Sequence, residues 1–255
     1  MGKGKRLTLT ADFPDGGFRF AIGVPQYSCG VIALPGLRIR RVRFRRTVPL
    51  VEGFARIAAI IQAAGRPLTS FCACELRAPA PFSEAGFSAF NGQYQEVLTA
   101  WGLMRDGINP VARSNVCPEL DPPAEPGFHA FSFTVAEPSA APSFVVAGSG
   151  EVPEGRPTYR DHIVAPGDTG PDGMRAKIGF VLGEMQRRMS LLGVGWADAN
   201  VAQIYTLYDI HPFIPTEIAG SGAMGCDLVW HYCRPPIVGL DYEMDCRGLV
   251  DETVL

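Results

Sequence analysis

From about residue 45 onward, apolar positions fall in two alternating periods, and the order of those periods repeats. Over residues 48–64, Phe54, Ile57, Ile60, Ile61 and Ala64 share one helical face, and Gly65 closes the run. Residues 69–76 then read as a strand, followed by the turn Ala78-Pro79-Ala80-Pro81-Phe82. Later in the chain, Met174, Ile178, Val181, Met185, Met189 and Leu192 mark a second helix, stopped by Gly193 and Gly195. Asn200 to Tyr208 reads as a strand, and Asp209-Ile210-His211-Pro212-Phe213 as a turn. Helix, glycine stop, strand and Pro-Phe turn thus recur in the same order, which is the signature of an internal duplication.

After the turns the halves diverge. Phe87, Phe90, Tyr94, Val97, Leu98 and Trp101 predict an amphipathic helix in the first half. The matching stretch 214–225 is short and glycine-rich, so the second helix of the second half is expected to be truncated. Residues 128–135 alternate as a strand, as do 228–233 and 240–246, and residues 144–150 read as a buried strand. The Pro- and Ala-rich stretch 136–143 is the expected linker. The pattern predicts an α+β fold of two tandem domains, residues 1–138 and 143–255, the second with a shortened second helix.

The length of 255 residues suits two domains, and 47% hydrophobic content supplies material for their cores. A net charge of -3 argues against general nucleic-acid binding. No stretch has the ~20 unbroken apolar residues of a membrane span. Residues 7–13 hold two Thr and Asp12 and make no signal-peptide core, so a cytoplasmic location is expected. Seven cysteines form no disulfide framework and are read as reduced. The arginine run 38–46 reads as a solvated edge strand, or as a cationic surface that draws anions toward a cleft.

Two segments carry candidate chemistry. In Asn109-Pro-Val-Ala-Arg-Ser-Asn-Val-Cys-Pro118, Arg113 sits between an amphipathic helix and a proline-broken strand. A guanidinium there either joins a structural ion pair or grips a carboxylate with parallel hydrogen bonds. In Asp241-Tyr-Glu-Met-Asp-Cys246, alternation places Asp241, Glu243 and Asp245 on one face and Tyr242, Met244 and Cys246 on the other. The acids are either a solvated edge or a site that holds a water for attack. Weaker signals are Gly220-Ser-Gly-Ala-Met-Gly225, which lacks the strand-then-helix context of a dinucleotide site, and the pairs Cys72/Cys74 and His231/Cys233, which have no second pair to complete a metal site.

Pro110-Val-Ala-Arg-Ser114 and the ending Arg234-Pro-Pro-Ile-Val-Gly-Leu-Asp-Tyr-Glu-Met-Asp245 resemble the Rid (YjgF-like) family. The repeated helix, glycine, strand order is also that family's. The resemblance implies two Rid-like domains, each a mixed β-sheet backed by helices, in a homotrimer, the family's active sites lying in the clefts between subunits. It makes Arg113 the carboxylate-binding arginine and Glu243 the residue that positions the hydrolytic water. Ser114, Asn115 and Cys117 become substrate-binding positions, with Asn115 where many members have a cysteine. The first unit places His129 where the glutamate should be, and the second has Cys226-Asp227 where the arginine should be. Either Arg113 and His129 form an altered site, or the two units meet at an interface, or one unit is structural.

A two-domain member of this size resembles the deaminases of 2-aminomuconate and its chlorinated relatives in aromatic breakdown. That likeness implies hydrolysis of an enamine or imine dicarboxylate with release of ammonia, a small anionic substrate, and neither cofactor nor metal. The rival expectations are a chorismate-directed lyase or hydrolase and a small-acid-binding module without turnover.

Overall fold

Helices form close to where the apolar spacing predicts them. In the computed structural model, which describes residues 9–137, 141–156, 158–248 and 251–255, α1 spans Leu50–Ala63, α2 Glu84–Ala100 and α3 Pro171–Leu192. Ser83 caps α2 by accepting a 3.1 Å hydrogen bond from the Gly86 amide. Gly193 ends α3 in the left-handed region, φ 76°, which disfavours a side chain. Residues 211–225 form a succession of short 3-10, π and α turns, so the second unit has no counterpart of α2. Among the described residues no helix is long and apolar enough to cross a membrane.

The strands, in chain order, are β1 (Thr10–Phe13), β2 (Phe18–Ala21), β3 (Gly30–Ala33), β4 (Arg38–Pro49), β5 (Phe71–Arg77), β6 (Ala112–Pro118) and β7 (Gly127–Val135). The second half adds β8 (Phe144–Gly150), β9 (Val201–Tyr205), β10 (Asp227–His231), β11 (Cys233–Arg234), β12 (Glu243–Gly248) and β13 (Asp251–Val254). One sheet runs β11-β6-β5-β7-β4-β13 and the other β1-β2-β3-β8-β12-β9-β10. The inner order β6-β5-β7-β4 is repeated by β10-β9-β12-β8. In each set the first pair is parallel and the others antiparallel. The duplication read from the sequence is therefore a duplication of topology.

Pairing also crosses between the halves. β1 to β3 extend the later sheet beyond β8, and β13 runs parallel to β4 in the earlier one. Of the expected linker, residues 138–140 lie outside the described residues, as does the N-terminal stretch 1–8. Ser143 is tied down, accepting a 2.9 Å hydrogen bond from the Ile39 amide.

The arginine run is not a solvated edge, because β13 covers it with acids. Arg38 donates to Asp251 at 2.5 Å and also to Glu137. Arg41, 2% exposed, gives two hydrogen bonds to Glu75 (2.6 and 2.8 Å) and one to Glu252 (2.6 Å). Only Arg45 and Arg46 at the end of the run stay exposed.

Two apolar cores flank the sheets. One joins α1 and α2 to the six-stranded sheet through Phe54, Phe71, Tyr94, Phe128 and Phe131. The other joins α3 to the seven-stranded sheet through Met174, Ile178, Val181, Met185, Met244 and Cys246. Between the sheets, apolar residues such as Phe18, Phe20, Val31 and Ala147 of the later sheet join the core of the earlier one, and polar contacts cross as well: Ser114 on β6 donates to Asp245 on β12 at 2.6 Å, and Arg247 approaches Glu75 at 3.9 Å.

Candidate active site

Arg113 lies on β6, beside Cys74 of β5, and is 3% exposed. Four rings surround its guanidinium: Tyr94 at 5.0 Å, Phe87 at 5.6 Å, Tyr27 at 5.7 Å and Phe90 at 5.8 Å from the carbon centre. Three of them come from α2, whose apolar face therefore serves both the core and the cation. One nitrogen, Nη2, donates to Asn91 Oδ1 at 2.7 Å. The other, Nη1, is buried and unpartnered, and no carboxylate pairs with the group among the described residues. A buried cation without an anion costs several kcal/mol, roughly, so the arrangement is expensive unless a ligand supplies the charge.

Glu243 opens β12 and is 4% exposed. Its carboxyl has no hydrogen bond or ion pair to a protein group among the described residues. Burial pushes it well above the usual carboxylate range, and the neighbouring Asp245 adds to the effect. Asp245, two residues along the same face, accepts from Ser114 (2.6 Å), Gln203 (2.8 Å) and Tyr205 (2.9 Å).

Arg113 and Glu243 line one cleft of about 490 Å³, open mouth included, together with Asn115, Tyr27, Glu154 and Tyr159. The cleft lies where β6 of the earlier sheet crosses β8 of the later one. Gly148 makes the crossing possible: a Cβ there would stand 3.2 Å from Ser114 Cα and would collide with the Glu243 carboxyl. The fully buried Arg188 of α3 holds this part of β8 by donating to the Ala147 and Gly148 carbonyls (2.8 and 3.0 Å), and it pairs with Glu154 at 2.8 Å. A protonatable carboxyl thus faces the same small volume as an uncompensated cation.

The family model described as 2-aminomuconate deaminase CnbZ matches residues 10–253. The chain belongs to that family. The 2-amino-5-chloromuconate deaminase of Comamonas testosteroni is 51% identical to it over 245 residues, 95% of this chain and 98% of that one. Among solved structures, a chorismatase superposes with a TM-score of 0.50 at 11% identity, over 91% of this chain and 77% of its own, a likeness of fold alone. The YjgF gene product of E. coli matches 44% of this chain and 83% of its own, at 13% identity and a TM-score of 0.30. As a member of the 2-aminomuconate deaminase family, the protein is an enzyme of the deaminase type.

In this family member, the arginine comes from the first unit and the glutamate from the second, and both meet within one chain. The other sequence-predicted residues divide. Asn115 shares the cleft, 4% exposed, with both amide atoms buried and unpartnered. Ser114 lies between them on the strand and is engaged with Asp245 instead. Cys117 lies deeper, 1% exposed and outside the cleft lining, and burial pushes its thiol up to about 12. Of the three arrangements left open, the altered site of Arg113 with His129 does not form. His129 sits on β7, the first unit's counterpart of β12, and faces a separate open cleft beside Arg45 and Arg46. Burial, and next the Arg77 charge, push its imidazole down to about 3, so it is neutral. Asp241 also departs from expectation. It precedes β12 and pairs with the buried Lys177, leaving Glu243 and Asp245 as the acids that share a face.

Sequence reasoning missed Asn91, Tyr27, Glu154 and Tyr159. Asn91 lies on the buried face of α2, where a polar residue among Phe87, Phe90 and Tyr94 was a legible signal. The other three sit in segments without hydrophobic periodicity.

Proposed function

We propose that the protein hydrolyses the enamine–imine form of a 2-aminomuconate-type dicarboxylate to the 2-oxo acid and ammonia, without a cofactor. The observation that carries this reading is a buried carboxyl without a partner, sharing a cleft with a guanidinium that no carboxylate neutralises among the described residues. Arg113 would bind the carboxylate next to the reacting carbon, because that charge neutralises the cation and holds the planar substrate against Glu243.

The proton inventory then closes on one residue. Glu243 gives its proton to the enamine carbon, forming the iminium and the Glu243 carboxylate. That carboxylate takes a proton from a water as its oxygen adds to the iminium carbon, giving a carbinolamine. Glu243 next protonates the amino nitrogen, the carbon–nitrogen bond breaks, and ammonia leaves. The remaining hydroxyl returns its proton to Glu243 as the carbonyl forms. A carboxyl that burial pushes up can give a proton in one half of this cycle and take one in the other. The identities of the family and of the 51% identical deaminase support the substrate class.

The test is ammonia release from freshly generated 2-aminomuconate, coupled to glutamate dehydrogenase, with and without prior dialysis against a chelator. We expect one ammonia per substrate in both samples. Arg113→Ala should raise KM about 100-fold, from the loss of charge-assisted hydrogen bonds, and Glu243→Gln should lower kcat by about 10² to 10⁴. Full activity in either variant, or no release by the parent protein, removes the proposal.

A further inference from the structure

Asn115 offers a chemical requirement that a carboxylate alone does not meet. It follows Arg113 by two positions on β6, so both side chains leave the same face of the strand and line the same cleft. The residue is 4% exposed, and its Nδ2 and Oδ1 are both buried with no partner among the described residues. An amide in that state needs a donor and an acceptor together. A carboxylate on Arg113 is acceptor only, so it can satisfy Nδ2 and leaves Oδ1 unmet. The missing group is a hydrogen-bond donor, and on an amino dicarboxylate the one donor is the N–H.

We propose that Asn115 reads the nitrogen of the substrate, its Oδ1 accepting the amino or iminium N–H while Arg113 Nη1 and Asn115 Nδ2 hold the adjacent carboxylate. This rests on the reading of the cleft as the deaminase site. It adds a basis for discrimination: the substrate places a donor at Oδ1, whereas the 2-oxo product places an acceptor there. Two facing acceptors repel, so completion of the reaction weakens the grip on the product and favours its release. The same contact rejects unsaturated acids that lack the nitrogen, because binding them would strand a buried carbonyl oxygen.

Two planar five-membered acids separate these cases. Pyrrole-2-carboxylate presents an N–H beside the carboxylate-bearing carbon, and furan-2-carboxylate presents an oxygen in the same place. Titration calorimetry on the full chain should give a pyrrole-2-carboxylate affinity at least about tenfold above that of furan-2-carboxylate. Asn115→Leu, close in volume, should erase that ratio while furan-2-carboxylate still binds. Asn115→Ser serves as a second variant and should shrink the ratio, and circular dichroism checks that each is folded. Equal affinities in the parent protein, both lost in Arg113→Met, overturn the role of Asn115 and leave the carboxylate site standing. A preference that survives in Asn115→Leu overturns it as well. If neither acid binds the parent protein, the deaminase reading of the cleft falls along with it.

Discussion

A carboxyl whose charge is disfavoured by burial fixes the direction of the pH response at residue scale. Glu243 is held well above the ordinary value near 4.5, so its proton-donating form persists where exposed glutamates have ionised. As pH rises through that raised value the donor is lost, and kcat should fall on the alkaline side. A kcat–pH profile of Glu243→Gln should lack that limb at a much lower ceiling. Arg113 depends on Asn91 in a different way. The 2.7 Å hydrogen bond fixes the guanidinium by one nitrogen and leaves the other toward a ligand. Asn91→Asp would put an anion on that nitrogen and cancel the charge that the substrate needs. Initial-rate measurements should show KM raised about tenfold or more with kcat changed little, while Asn91→Ala should do less.

At the scale of elements, the site depends on how closely two strands approach. Gly148 leaves no room for even a methyl group between the Glu243 carboxyl and the β6 backbone. Gly148→Ala should therefore displace Glu243 from Arg113. We expect kcat/KM to fall about 100-fold, since roughly an ångström of misplacement can cost that much. Thermal unfolding should shift by only a few degrees for a ~1 kcal/mol cost. The helices and most strands were legible because each has its own hydrophobic period, and Arg113 and Glu243 were legible because each sits in a recognisable short segment. Their meeting across units was not, since no local pattern records which strand of one sheet lies over which strand of the other. The same limit explains β1 to β3 and β13: short strands announce little, and their partners lie far away in sequence. His129 misled because it occupies the position corresponding to Glu243 in the repeat, but Arg113 of the same unit faces the cleft that holds the other unit's Glu243, and His129 faces a different one.

Across the whole molecule, neutral histidines make the fold acid-sensitive. Burial pushes His129 down to about 3 and His231 down to about 4, from the ordinary 6.5. Below about pH 6.5 the unfolded chain takes up protons that the folded chain refuses, so their contribution is lost as pH falls from 6.5 toward 4. Glu151, pushed up to about 7 by burial, acts in the opposite sense, with its contribution growing over part of that range. Urea midpoints of a His129→Gln/His231→Gln double variant should therefore decline less steeply between pH 6.5 and 4 than those of the parent. The covered arginine strand gives another whole-molecule expectation. Removing residues 251–255 would take Asp251 and Glu252 from Arg38 and Arg41 and expose the edge of β4. Light scattering and calorimetry should show aggregation and a lower melting temperature.

The exchange of terminal strands also bears on the history and engineering of the protein. Neither half owns all the strands of its own sheet, so a gene cut at the linker should yield two fragments that stay insoluble apart and regain activity only when expressed together. Under such mutual dependence each repeat was free to discard what its sibling retained. An ancestral copy of the arginine could vanish from one and a copy of the acid from the other, without any moment at which the enzyme was left with an incomplete pair.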